Sequence, residues 1–399
     1  CKLNGRGFNE AITFEIGNVR NTLTVRNGKI DNIIVDGGPL VRSVLTLSAP
    51  EDVWSKLLNP KPPALYNDFF ALIAIGDMRF DGDIKIIFQQ WFTFSNWVRA
   101  GRELQGPLET ASDPEFLDDW QAVGRYTNVT VNGARHKVFY FEAGEGIPLI
   151  CQHTAGCHNH QWRGLLEDPE ITKNYNVIAY DLPRHGKSDP PHNKEWWKEE
   201  YKLTAEHYCN FIVKLCDALG LQNPIFMGSS FGGNVALQLA LRHPNKFRAV
   251  IPVEAADYAP GFYLDWWRHP HANAAQVCAS GTWDLMAPQS PEKDRWLTWH
   301  YYTQGSEAFK GDLYFYSVDH DLRKELQNID GHKCPVIMLT GTYDYLTPPE
   351  ATENTARQIK GGVYIEMADI GHFPMSENHE VFRVYLMEAL KIIQERTSK

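Results

Sequence analysis

The sequence predicts an α/β protein in two parts: a parallel sheet with crossover helices, and a smaller α+β unit ahead of it. Three observations carry this. Continuous apolar runs such as "IPLICQH" (147–153), "YNVIAYDLP" (175–183), "PIFMGS" (224–229), "FRAVIPVEA" (247–255), "CPVIMLTGTYD" (334–344) and "GVYIEMADIGH" (362–372) read as strands buried on both faces. Helical stretches at 204–219, 233–243 and 350–359 lie between them, with a last one at 379–395, which is the alternation of a parallel sheet. The first hundred residues instead show short alternating strands around Asn27-Gly28, a hairpin signal.

At 399 residues the chain exceeds one ordinary core, which fits two domains or one domain with a large insertion. Hydrophobic residues make up 43% and charged residues 22%, as in globular proteins. A formal net charge of −10 disfavours nucleic acid or an anionic membrane surface as the main partner. No apolar run approaches the length of a membrane span. The cysteines are odd in number and scattered without a CxxC pair, so free thiols of a reducing, cytoplasmic compartment are expected.

In order along the chain, residues 1–110 form the first unit. "NTLTVRNGKIDNIIVDGG" and "VRSVLTLS" supply strands, and "SAPEDVWSKLL" starts a helix behind Ser48 or Pro50. "QQWFTFSNWV" (89–98) is an apolar stretch expected to pack against the later domain, its cap, or a second copy of the chain in a homodimer. A linker, 111–125, belongs to a run rich in acids, Gly and Pro. "YTNVTVNGARHKVFYFEAG" opens the main domain with a hairpin at Asn132-Gly133. That domain takes 126–256 and 331–399, with its own complete strand set. The interval 257–330 has no strand rhythm but holds five Trp and six Tyr, so it reads as an inserted, aromatic-rich cap.

The chemistry centres on "FMGSSFGG" (226–233). Gly228-Ser229-Ser230-Phe231-Gly232 fits G-x-S-x-G, in which a strand meets a helix in a turn so sharp that its flanks must be small. Ser230 is therefore the candidate nucleophile. Ser229 as nucleophile has Met227, not glycine, two residues before it. A serine needs a base, and the base needs an orienting carboxylate. His372 follows the last strand and Asp344 ends the one before, giving the order Ser, acid, His. Glu254, at the end of the strand after the nucleophile helix, stays open as an alternative acid or a pocket residue. His153, His158 and His160 lack an acid cluster to complete a metal site, so no metal and no cofactor is expected.

These motifs resemble the α/β-hydrolase superfamily over residues 120–397. "ICQHTAG" is similar to its H-G-x-x-G oxyanion loop, with Thr154 in place of a glycine. "YDLPRHGKSDPP" (180–191) is similar to D-x-P-G-x-G-x-S, with Arg184-His185 at the usual glycine turn. "GTYDYLTPP" is similar to the G-x-x-D-x-x-x-P acid turn. The resemblance implies an oxyanion hole from the Ala155 and Phe231 N–H groups, with His153 belonging to that loop. Residues 8–104 resemble a sterol-carrier-type (SCP2-like) domain in the order of their strands, in "EDVW", and in the stretch from Gly76-Asp77 to Gly82-Asp83. That second resemblance implies a carrier of hydrophobic ligands, a dimerisation element or a brace for the lid.

The expected activity is serine hydrolysis of a carboxylic ester or lactone of a bulky, apolar, aromatic-accommodating small molecule. An amidase or C–C bond hydrolase with the same triad is the alternative within the class. A hydrophobic-ligand binding protein with an idle hydrolase fold is the alternative outside it.

Overall fold

The computed structural model describes residues 7–37, 41–112, 121–268, 274–304 and 306–398. Cys1, the middle of the expected linker (113–120) and the side chain of Trp266 lie outside the described residues.

The first unit is a five-stranded sheet with helices on one face. Its strands β1 (Ala11–Ile16), β2 (Val19–Arg26), β3 (Lys29–Val35), β4 (Leu45–Ala49) and β5 (Arg79–Gly82) lie in the order β3-β2-β1-β4-β5. The β2–β3 turn has Asn27 and Gly28 both at positive φ, 48° and 72°, as a twist-compatible two-residue hairpin requires. Helices α1 (Glu51–Leu57), α2 (Phe69–Ile75), α3 (Ile84–Gln89) and α4 (Trp91–Gln105) follow. Asp68 caps α2 by accepting the Phe70 and Ala71 N–H groups at 2.5 and 2.9 Å. Ile12, Leu47, Trp54, Leu72 and Phe94 close the small core between sheet and helices.

The second sheet holds β6 (Val123–Val131), β7 (Ala134–Ala143), β8 (Ile147–Gln152), β9 (Tyr175–Tyr180), β10 (Ile225–Ser229), β11 (Ala249–Val253), β12 (Ile337–Gly341) and β13 (Val363–Met367). Their order is β13-β12-β11-β10-β8-β9-β7-β6, parallel from β13 through β9 and antiparallel from β9 to β6. Strand β6 begins at Val123, three residues inside the stretch read as linker, because its ladder with β7 runs as far as Glu142. Short helices α5 (Arg163–Glu167) and α6 (Pro169–Thr172) precede β9, and α7 (Ala205–Ala218) and α8 (Phe231–Arg242) flank β10. The chain leaves the sheet after β11 for α9 (Ala274–Trp283), α10 (Glu292–Tyr302) and α11 (Ser306–Tyr314), then returns through β12, α12 (Pro349–Gln358), β13, α13 (Pro374–Glu377) and α14 (His379–Thr397). Adjacent strands β8 and β10 are where the strand order reverses. Ligands of open α/β sheets bind at the carboxyl ends there, and those ends carry Ala155 and Ser230.

The apolar stretch 89–98 is covered within the same chain. Phe92 sits among Trp283, Trp296 and Trp299, with ring centroids 6.1, 6.0 and 5.7 Å away. Ser95 donates to Asp284 at 2.5 Å, and Arg99 pairs with Glu292 at 3.2 Å. The first unit also reaches the turn before the candidate acid. Asn67 Nδ2 donates to the Tyr343 carbonyl at 2.9 Å, and the Tyr343 hydroxyl donates to the Pro62 carbonyl at 2.7 Å. Thus the main domain has its own strands, but one of its site turns is braced from outside.

Candidate active site

Ser230 stands between β10 and α8 at φ 58° and ψ −121°, a conformation an L-residue holds only when its surroundings over-determine it. The surroundings are the two glycines of the motif. A Cβ on Gly228 would lie 2.2 Å from the Gly232 carbonyl oxygen, and one on Gly232 would lie 2.8 Å from Gln152 Cγ. Only glycine lets strand, turn and helix close this tightly. The helix therefore starts at Phe231, two residues earlier than its sequence pattern indicates, despite Gly232 and Gly233 in its first turn. Ser230 N donates to the Val253 carbonyl at 2.9 Å, which pins the turn to β11.

Across the site, His372 Nδ1 is 2.7 Å from Asp344 Oδ2, with both side chains buried. Asp344 Oδ1 accepts the Leu346 and Thr347 N–H groups at 2.9 and 3.1 Å, so the carboxylate is fixed by its own turn. Glu254 lies against this pair: its carboxyl, Asp344 and His372 bring donor atoms within 4.8 Å of one another. Glu254 accepts the Gly341 N–H at 2.9 Å. Burial, then the charge of Asp344 and a hydrogen bond with it, hold the Glu254 carboxyl well above the usual range. Glu254 thus stands behind Asp344 as the carboxyl that burial and its neighbour favour in the protonated form. It faces neither His372 as that residue's hydrogen-bonded partner nor the cavity described below, which corrects the expectation that it lines a pocket.

The loop after β8 is held from three sides. His153 Nδ1 faces the Thr154 carbonyl at 2.8 Å, so it carries the proton, and Nε2 accepts the Leu182 N–H at 3.1 Å. Burial and the neighbouring His185 keep its pKa well below the usual value, in accord with a neutral ring. His153 is a brace under the loop and does not line the cavity. His153, His158 and His160 form no common ligand set among the described residues. Thr154, which stands where the resemblance expects glycine, sends its N–H and hydroxyl to Gln161 Oε1 at 2.9 Å each and also meets the Tyr302 hydroxyl. Its polar atoms are satisfied, and Gly156 (φ 64°) takes the left-handed turn instead. The Ala155 N–H donates to no acceptor among the described residues, and Phe231 N–H, first in its helix, has none within α8.

Asp312 on the cap helix α11 has no local sequence signal beyond being an acid in an aromatic stretch. Its Oδ2 accepts the Gly156 N–H at 2.8 Å and lies 2.8 Å from His185 Nε2, while Oδ1 accepts from the Tyr201 hydroxyl at 3.2 Å. His185 Nδ1 faces the Pro183 carbonyl at 3.1 Å, so both ring nitrogens must donate and the ring is an imidazolium. Burial is the strongest influence and lowers its pKa, but the charge and hydrogen bond of Asp312, the Pro183 carbonyl and the charge of Asp181 together outweigh it, and the net shift is upward. A buried ion pair thereby ties the cap to the residue after Ala155. Asp312→Ala should cost about 3–5 kcal/mol, because it strands the buried imidazolium. The folded pKa of His185 is raised above 6.5, so the pair's contribution is complete below pH 6.5 and fades as pH climbs through the raised value. Thermal unfolding of wild type and Asp312→Asn against pH checks this: the gap between the two should narrow on the alkaline side.

Ser230, His372 and Ala155 open into one cavity of about 310 Å³ between sheet, cap and first unit. The cap gives Phe262, Leu264, Trp267, Phe309, Leu313 and Tyr316. No Asp, Glu, Lys or Arg lines it among the described residues. Burial raises the pKa of Tyr316, only partly offset by hydrogen bonding to Thr347 and Ser230, so its phenol stays neutral.

Residues 147–277 match the family described as alpha/beta hydrolase fold. Among curated proteins, the chain is 32% identical over 116 residues to a 2-hydroxymuconate semialdehyde hydrolase of Pseudomonas sp. (strain CF600), covering 29% of this chain and 38% of that protein. The chain spans 38% or less of the length of the first curated relatives it matches. Among solved structures it is similar to a thermophilic esterase from Thermogutta terrifontis, with TM-score 0.58 and 19% identity over 68% of this chain and 99% of the other. It is similar as well to the enol-lactonase from Burkholderia xenovorans LB400, with TM-score 0.58 and 20% identity over 66% and 99%. No helix among the described residues is long and apolar enough to cross a membrane. The strand order, the serine turn and these matches together give the chain, from β6 onward, the alpha/beta hydrolase fold.

Proposed function

We propose that this protein is a serine hydrolase that cleaves a carboxylic ester or lactone of a bulky, uncharged, apolar small molecule through an acyl-enzyme. The observation that carries this reading is the shared cavity: Ser230, His372 and an unpartnered Ala155 N–H meet in one apolar chamber. His372, held by Asp344 through Nδ1, takes the Ser230 proton at Nε2 as the hydroxyl oxygen attacks the substrate carbonyl. The Ala155 and Phe231 N–H groups receive the oxyanion. Collapse of the tetrahedral intermediate expels the alcohol, which takes the proton back from His372. Water, deprotonated by the same base, then releases the acid and restores Ser230.

Ester and lactone cleavage stands ahead of amide or C–C cleavage because it is the least demanding chemistry of the set. The paired acid and base argue against an idle fold that only binds. A charged acyl group would lose its hydration in the chamber with no counter-charge to meet it, which disfavours charged substrates. Stopped-flow hydrolysis of p-nitrophenyl esters tests the reading. A burst of nitrophenol with amplitude near one per chain is expected where deacylation limits turnover. Chains that release no nitrophenol from any member of the series would contradict it.

A further inference from the structure

The cavity that holds Ser230 has a wall that no part of the hydrolase fold supplies. Phe70 from α2, Phe88 from α3 and Trp91 from α4 line it, together with Ile73 and Ala74. Phe70 stacks on Trp91 with centroids 3.9 Å apart and planes 8° from parallel, and Phe88 leans on both at 5.2 and 5.5 Å. Phe70 and Phe88 are half-buried and both line the chamber. Their positions are fixed, because Asp284 of the cap takes the Ser95 hydroxyl and Asn67 is tied to the Tyr343 carbonyl. Phe88 also meets Trp267 of the cap at 6.5 Å.

We infer that the N-terminal unit is part of the substrate-binding site, and that Phe70, Phe88 and Trp91 form the surface that selects an uncharged alkyl or aryl group of the substrate. Describing that group as part of a substrate rests on the hydrolase reading above. Phe70 and Trp91 lie nearly parallel and Phe88 is tilted 43° and 35° to them, so the three rings give an apolar wall that suits hydrocarbon and aromatic edges and carries no charge to meet an anionic chain. Each methylene of substrate that reaches the wall should raise kcat/KM about three- to fourfold. Ile73 is the position at which to fill the chamber from this side, since it lines the cavity and is only half-buried.

The test measures kcat/KM for p-nitrophenyl acetate and p-nitrophenyl octanoate in the full chain, in Ile73→Trp and in Phe88→Ala. Binding of the uncharged fluorophore N-phenyl-1-naphthylamine is measured beside it. The octanoate-to-acetate ratio should fall at least tenfold in Ile73→Trp, and naphthylamine binding should weaken at least fivefold. Phe88→Ala, which removes a ring without adding bulk, should raise the octanoate-to-acetate ratio more than twofold. Circular dichroism shows whether each variant is folded. Folded variants with ratio and binding both within twofold of wild type would overturn the inference. Because the fluorophore needs no catalysis, weakened binding in a chain without esterase activity would support the wall while contradicting the proposed reaction.

Discussion

Ser230→Ala is expected to lower kcat for ester hydrolysis by roughly 10⁴–10⁶, the scale of nucleophile loss in a serine triad. The effect should be this large because the turn offers no substitute. Ser229, the neighbouring hydroxyl, is the last residue of β10 and fully buried, and it does not line the cavity. Ser229→Ala should therefore leave turnover within a few fold of wild type. Protein stability should not fall with Ser230→Ala, since the Ser230 side chain makes no capping bond to α8. The strained turn is imposed by Gly228 and Gly232, not by the serine. Steady-state kinetics on p-nitrophenyl butyrate, with thermal unfolding as the control, checks both halves of this expectation.

The second large effect separates two buried carboxyls. Asp344→Asn should lower kcat by about 10³–10⁴ with little loss of fold, because an amide facing Nδ1 favours the imidazole tautomer that cannot accept the serine proton. Its turn would survive, since an Asn oxygen still accepts the Leu346 and Thr347 N–H groups. Glu254→Gln should cost less than about tenfold. In the protonated form its surroundings favour, Glu254 presents one donor and one acceptor, and a glutamine offers the same pair to Asp344 and to Gly341 N–H. On the proposed mechanism, Glu254 is a positioning residue behind Asp344. A reversal of the ranking in kcat would move the triad acid to Glu254.

Much of this site can be read in the sequence for mechanical reasons. A serine turn that tolerates only glycine on its flanks leaves the same short pattern wherever it occurs, and Gly228 and Gly232 stand where a Cβ has no room. His372 and Asp344 follow from strand order, because each sits at the carboxyl end of a buried apolar run. What the sequence hides is contact across long separations. Nothing near Trp91 or Phe88 says that they face a chamber holding Ser230, since the same rings would serve equally in a packed core. Asp312 is hidden in the same way: its partners, Gly156, His185 and Tyr201, are more than a hundred residues away. Local pattern likewise leaves Glu254 open, because a carboxylate after a strand looks alike whether it holds the histidine or backs the acid that does. The bearing of the N-terminal unit on the site depends on Asn67 reaching the Tyr343 carbonyl, a bond no pattern announces.

Locating the adduct of a fluorophosphonate tests whether Ser230 Oγ is the atom that becomes acylated. The labelled chain is digested, and the peptide that holds Ser229 and Ser230 is fragmented to place the added mass. One phosphonyl group per chain is expected, on Ser230, absent after Ser230→Ala and retained after Ser229→Ala. An adduct on Ser229 or on any other residue, or labelling that persists in Ser230→Ala, would contradict it.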